Sequence, residues 1–167
     1  MQRSALTLVL ILAAVVVRPA SAQTPVAPAC LPAATLDQLP KALDEAISGP
    51  ADKDRTCLRQ LMSPDLRLIL VTGDSTRILS LDDWINAVSK RGNTLITERQ
   101  VKVRTESYGN IAHLWCTYEM RSAPDGPFTS RGINSLQALF DGQRWQLISV
   151  MYQAETPAQP IPGNYLP

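Results

Sequence analysis

Few residues in this chain of 167 have side chains suited to chemistry at neutral pH. Only one histidine is present, His113, and three cysteines, Cys30, Cys57 and Cys116. A nucleophilic thiol needs a basic partner on its own side of the fold. A metal site needs several ligands at short, recurrent spacings. No CxxC pair and no second histidine occur, so neither a metal nor an organic cofactor is expected. Acid–base catalysis requires a carboxylate or histidine within reach of a bound ligand. Asp65, Asp82 and Asp83 stand at turn and helix-start positions, which already explains them. Strand alternation puts His113 and Glu119 together, away from the side expected to face the core. No catalytic constellation stands out. What remains is a small set of polar residues on apolar strands: Tyr118, Asn134 and Ser149. Met151 stands in line with Ser149, and Trp84 lies on a helix above. Apolar walls with a few polar groups are the usual makeup of a small-molecule pocket. The same side chains could instead satisfy buried backbone groups or one another.

The elements that must position these residues follow from periodicity. A helix is expected from about Pro40 to Ser48, with proline in the first turn and Gly49-Pro50 as the stop. Leu39, Leu43 and Ile47 make its apolar stripe. A second helix is expected over about Asp52 to Met62, with Asp52 as a cap. Leu66 to Val71 then reads as a strand, and Arg77 to Leu79 as its short return across Thr72–Ser75. Ser80, followed by Asp82 and Asp83, marks the start of a third helix. After Gly92 the period falls to 2. Val101, Val103 and Thr105 alternate with charged residues. Ile111 to Arg121, Phe128 to Phe140 and Arg144 to Gln153 read as three further strands. Helices placed before an antiparallel sheet indicate an α+β domain. Strands of this length must twist and curl, so helices laid on the hollow face would enclose a conical cavity.

The alternation assigns faces. Leu114, Cys116, Tyr118 and Met120 are expected inward, with Gly132, Asn134, Leu136, Ala138 and Phe140 on the next strand. On the last strand Trp145, Leu147, Ser149 and Met151 share one side, taken as the inward one. Ile133, Ile148, Val150, Tyr152 and Trp115 would then form an apolar patch on the convex side, large enough to suggest a sheet-to-sheet homodimer. An unforeseen bulge would exchange faces beyond it.

The N-terminus has the layout of a cleavable secretory signal. Arg3 precedes an apolar stretch from Ala5 to Val17, and Ala20-Ser21-Ala22 offers a small-x-small cleavage site. The apolar stretch has about 13 residues, where a bilayer span takes roughly 20. The organisation expected is a signal peptide over 1–22, an extended Pro-rich arm over 23–35, a domain over 36–155 and an irregular Pro-rich tail over 156–167. Residues 1–22 carry Arg3 and Arg18 and no acid, so cleavage would turn the net charge from +1 to −1. That balance gives no footprint for nucleic acid, and no membrane anchor remains after cleavage. A periplasmic or secreted location permits a disulfide. Cys30 in the arm and Cys57 in the second helix are the expected pair, leaving Cys116 free in a strand. The alternative is three free thiols.

Three stretches carry a family resemblance. Leu114-Trp115-Cys116-Thr117-Tyr118-Glu119-Met120 resembles the VWxxYEF strand of many SnoaL-like proteins of the NTF2-like superfamily. Arg131-Gly132-Ile133-Asn134-Ser135-Leu136 resembles their xGVDSF strand. Asp141-Gly142-Gln143-Arg144-Trp145-Gln146-Leu147 resembles their closing hairpin. With the order of elements, the likeness spans residues 36 to 155. It implies the NTF2-like cone, N-terminal helices packed on a strongly curved antiparallel sheet, and often a homodimer. The superfamily spans isomerases, cyclases, dehydratases, hydrolases and non-catalytic binding or assembly domains, so fold does not fix function. Asn134 stands where aspartate is frequent, and Arg131 where a His-Cys pair often precedes the glycine. These departures leave a small-molecule pocket or assembly module as the leading expectation. A cofactor-free isomerase, dehydratase or hydrolase is the alternative, and an inward carboxylate would favour it.

Overall fold

A computed structural model describes residues 29–92 and 95–167. The expected signal peptide and the first part of the arm lie outside the described residues. The chain forms α1 (Leu39–Ile47), β1 (Gly49–Pro50), α2 (Thr56–Leu61), β2 (Met62–Thr72), β3 (Ser75–Leu79), α3 (Leu81–Ser89), β4 (Leu95–Tyr108), β5 (Ile111–Arg121), β6 (Phe128–Phe140) and β7 (Trp145–Ala154). A 3-10 turn, Gly163–Tyr165, lies within the tail.

Local chemistry explains the helix boundaries. Pro40 sits in the first turn of α1, where no N–H is missed. Ser80 caps α3 in a reciprocal box: its hydroxyl accepts from the Asp83 N–H, and the Asp83 carboxylate accepts from the Ser80 N–H. The second helix starts later than Asp52. Asp54 takes the Thr56 N–H at 2.8 Å, and the guanidinium of Arg55 is turned back to the end of α1. There it donates to the carbonyls of Ala46, Ile47 and Pro50. The first two are acceptors that a helix end leaves unpaired.

The strands form one seven-stranded sheet in the order β1-β4-β5-β6-β7-β2-β3. The β4–β7 meander is antiparallel, as expected, whereas β2 joins β7 in parallel, so the sheet is mixed. The α2 helix leads directly into β2, which is why that strand arrives at the β7 edge from the helical side. The helices pack on one face of the sheet, α1 over β4 and α2 and α3 over β2. Leu39 and Leu43 from α1, Leu58 from α2, and Leu114, Leu136 and Leu147 from the sheet are almost wholly buried between the layers. Cys30 and Cys57 form a disulfide that ties the arm to α2, and Cys116 is free and buried in β5. Disulfides form and persist in oxidising compartments.

Two bulges decide which side chains face the helices. In β4, Gln100 pairs with Tyr118 and Lys102 with Thr117, so Val101 is an extra residue. In β7, Leu147 pairs with Ala138 and Ser149 with Gln137, so Ile148 is extra. Each insertion exchanges the faces beyond it. Trp145 and Leu147 point inward, as expected. Past Ile148 the inward residues are Val150 and Tyr152, not Ser149 and Met151. The expected convex patch therefore loses Val150 and Tyr152. Much of the rest of that side is covered by the tail. Ile161 is buried there, and the Thr117 hydroxyl and Lys102 ammonium donate to the carbonyls of Tyr165 and Leu166. The Pro-rich tail is thus an ordered strap held by its own backbone carbonyls.

Candidate functional site

Between the helices and the inward face of the sheet lies a cavity of about 120 Å³. Its walls are apolar: Leu43 and Ile47 from α1, Leu58 from α2, Leu81 and Trp84 from α3, and Ile96 and Val150 from the sheet. Polar side chains reach it from four neighbouring strands, namely Glu98, Tyr118, Asn134 and Tyr152, and Arg91 lines it from the segment after α3. Of the residues singled out in the sequence, Tyr118, Asn134 and Trp84 line the cavity. Ser149 and Met151 do not. Met151 lies with Trp115 and Ile133 in a groove between the sheet and the tail. The Ile148 bulge is the cause.

Glu98 was not anticipated. Carried back in register from Val103 and Thr105, strict alternation turns Arg99 and Thr97 inward and Glu98 outward. The Val101 bulge reverses this and brings Ile96, Glu98 and Gln100 to the cavity side. The pairings Glu98–Met120 and Gln100–Tyr118 put both on the face already assigned to β5. The only sequence signal was Glu98 and Gln100 with Ile96 on one alternating set, opposite in phase to the set after Val101.

A closed amide network fixes the Glu98 carboxyl. Its Oε1 accepts from Gln100 Nε2 at 3.0 Å and from Asn134 Nδ2 at 3.2 Å. Asn134 Nδ2 also lies 3.1 Å from Gln100 Oε1. Among the described residues no hydrogen bond occupies Oε2. The backbone is anchored as well. Ser48 Oγ accepts from the Glu98 N–H at 2.9 Å and donates to the Glu98 carbonyl at 3.1 Å. Burial raises the Glu98 pKa above its ordinary value, while the two amide donors oppose the rise. A carboxyl held this way is a stronger base than one in water.

Tyr118 and Tyr152 stay protonated. Burial, with the nearby charge of Glu98, pushes the Tyr118 hydroxyl up to about 12 and raises Tyr152 in the same direction. Tyr118 owes its position to Gly132 on β6. A Cβ there would lie 2.6 Å from the Tyr118 hydroxyl and 2.7 Å from its Cε1. The ring fills the space that any other residue would occupy. Cys116 is inert as a nucleophile. Burial, followed by the charges of Asp44 and Glu98, lifts its thiol to about 12, far above the range of reactive thiolates.

The other titratable candidates lie elsewhere. His113 is on the convex side, with Nε2 3.1 Å from Ser135 Oγ. Glu119 is paired with Arg121 at 2.6 Å. Among the described residues no group of three or more His, Cys, Asp or Glu side chains is arranged to hold a metal ion. A polar lining of one carboxylate, one amide, two phenols and the Arg91 guanidinium suits an organic molecule better than a metal cation.

No protein-family model and no curated protein matches the sequence. Solved structures do. An NTF2-like protein of unknown function from Pseudomonas putida superposes with a TM-score of 0.57 at 12% identity, covering 79% of this chain and 94% of that one. One from Silicibacter pomeroyi gives 0.54 at 18% identity, covering 72% and 92%. A provisionally named ketosteroid isomerase from Parabacteroides distasonis gives 0.50 at 13% identity, covering 77% and 98%. At such identities the likeness establishes architecture alone. Three helices on one face of a curved mixed sheet, with these neighbours, make this a chain of the NTF2-like fold.

Proposed function

We propose that this is an exported, cofactor-free enzyme that binds a small, largely apolar carbonyl compound in the cone and shifts a proton on it. The observation that carries the reading is the Glu98 carboxyl, buried against a largely apolar cavity, with Oε1 fixed by two amides and no hydrogen bond on Oε2 among the described residues. A carboxylate so placed is a general base poised above its ordinary range, which suits proton abstraction near neutrality. The proton would pass from a carbon next to the carbonyl to Glu98, and back to a different carbon. Tyr118 and Tyr152 supply protonated hydroxyls for the oxygen that gains charge, the role for which preorganised donors are most effective. Apolar walls keep water away and strengthen both effects. The cavity is close in size to one of ~150 Å³ that admits benzene, so the ligand is about the size of one six-membered ring. The disulfide supports export. Tyr108, Ile111 and Leu139, exposed neighbours on the convex side, support a homodimer through the half the tail leaves open.

The test is conversion of 3-cyclohexenone to the conjugated 2-cyclohexenone, followed by ultraviolet absorbance. Wild type should exceed buffer, and Glu98→Gln should lose about 10²–10⁴-fold in rate, the usual worth of a positioned base. Equal rates for wild type, Glu98→Gln and buffer would remove the enzymatic reading for this ligand class. Native mass spectrometry of protein purified from its own host then decides whether the cone carries a molecule without converting it.

A further inference from the structure

The wall of the cone behind Glu98 is thin. Glu98 lines the inner cavity and also a cleft of about 440 Å³ on the outer side of α1 and β4. Asp44, on α1, lines that cleft. Gln100 joins the two acids. Its backbone N–H donates to Asp44 Oδ1 at 3.0 Å and Oδ2 at 3.2 Å, while its side-chain amide donates to Glu98 Oε1 at 3.0 Å. Two carboxyls are thus held on one residue of β4, one facing the ligand space and one facing solvent.

We propose that Asp44 and Glu98 act as one acid pair across this wall, with Glu98 carrying the negative charge toward the cavity and Asp44 holding the accompanying proton on the cleft side. The hydrogen bonds assign the charge. Glu98 accepts from the side-chain amides of two residues, Gln100 and Asn134, whereas Asp44 is held by Gln100 alone. Neighbouring charges are distributed accordingly. Lys41 and Glu45 on α1, Lys53 from the segment after β1, and Arg99 on β4 face Asp44 around the cleft. Lys53 is engaged by Glu45 and by the carbonyls of Glu45 and Ser48. Cys116 on β5 lies near both acids and is neutral. Tyr118, Tyr152 and Arg91 share the cavity with Glu98. Burial, opposed by the Gln100 N–H and reinforced by the charge of Glu98, brings Asp44 up to about 7.

The pair deepens the proposed function and rests on it for its role in turnover. When Glu98 takes a proton from the ligand carbon, its charge vanishes, and with it the repulsion that kept Asp44 protonated. Asp44 then releases one proton to cleft water and becomes the anion. When Glu98 returns its proton, Asp44 takes one back from water. One proton enters the wall and one leaves it, so the net charge of the pair is conserved. Asp44 is a positioning residue for charge, and it never touches the ligand.

The test needs no substrate, so it can fail independently of the enone assay. The full chain is labelled with 13C at Asp and Glu carboxyls, and Asp44 and Glu98 are titrated by NMR. In wild type Glu98 should ionise first and Asp44 near pH 7. Glu98→Gln should lower the Asp44 midpoint by about one pH unit, equivalent to roughly 1.4 kcal/mol. If that variant does not fold, Asn134→Leu reads the same coupling. Removing a donor from Glu98 should raise the Glu98 midpoint and lower that of Asp44. An Asp44 midpoint unmoved by either substitution, or a Glu98 that stays protonated through pH 7, would overturn the pairing.

Discussion

Replacing Asp44 by asparagine should flatten the pH dependence of stability between about pH 4 and 7. Burial lifts the Asp44 carboxyl from 3.8 to about 7. An acid whose folded pKa lies above its unfolded value holds a proton in the folded chain that the unfolded chain has released. Its contribution is fully present below the unfolded pKa and is lost as pH rises through the folded one. Over the whole interval this amounts to about 4 kcal/mol at 1.36 kcal/mol per pH unit. Between pH 5 and 8 only the upper part is titrated, about 2–3 kcal/mol. Asp44 opens onto a cleft, so solvent reduces this to roughly 2 kcal/mol. Glu98 is raised in the same direction and adds to the slope in both proteins, so the informative quantity is the difference between them. The asparagine side chain cannot ionise but still accepts the Gln100 N–H. Urea unfolding followed by tryptophan fluorescence at pH 5 and pH 8 measures it. At ~2 kcal/mol per molar urea, the wild-type midpoint should fall by about 1 M more than that of Asp44→Asn. Parallel pH dependence in the two proteins would refute the burial argument for Asp44.

Gly132→Ala should cost about 1–3 kcal/mol, because its Cβ would lie 2.3 Å from the Gln153 carbonyl oxygen and 2.6 Å from the Tyr118 hydroxyl. Gly163→Ala, where a Cβ meets nothing within 4 Å, should stay within ~0.5 kcal/mol in the same urea melts. The double variant Cys30→Ser, Cys57→Ser opens a loop of sequence separation 27 and should lose about 3–4 kcal/mol on the chain-entropy argument. An unchanged melting temperature would show that the arm contributes no constraint. Ile111→Asp should dissociate the proposed dimer, since it would place an unpaired charge in an apolar contact. Sedimentation at micromolar concentration reads the outcome directly, and a monomeric wild type would exclude that interface.

Much of the scaffold was legible from local pattern. Ser80 and Asp83 announced the start of α3, and both make the reciprocal cap. Asp141-Gly142 announced the final turn, where the Asp141 carboxylate accepts the N–H groups of Gln143 and Arg144. Alternation in β5 and β6 gave the faces of Leu114, Cys116, Tyr118 and Asn134 correctly, because those strands run in register through the sheet centre. The Cys30–Cys57 pair was expected from a signal-like N-terminus and an arm close to the helical layer, with three free thiols as the alternative, and the structure forms it.

The candidate site was only half legible, for one reason. Periodicity gives the phase of a strand within an unbroken run, and it carries no information across an inserted residue. Val101 and Ile148 are ordinary β-branched residues with nothing in their type to mark an insertion, yet each exchanges the faces around it. One bulge brings Glu98 to the cavity with Gln100 beside it on the same face, and the other substitutes Tyr152 for Met151. The pairing of Asp44 with Glu98 spans α1 and β4, more than fifty residues apart in sequence, and exists only once the helix is laid on the sheet. The same holds for the tail. Its prolines ruled out regular structure, but its carbonyls found donors on Lys102 and Thr117 that only the assembled sheet places in line. By itself the sequence determined most of the elements, their order and the apolar face of each helix, because these depend on residues near one another in the chain or on composition. Tertiary structure decided where the buried charge sits, because that depends on strand register, which is settled by pairing with neighbours.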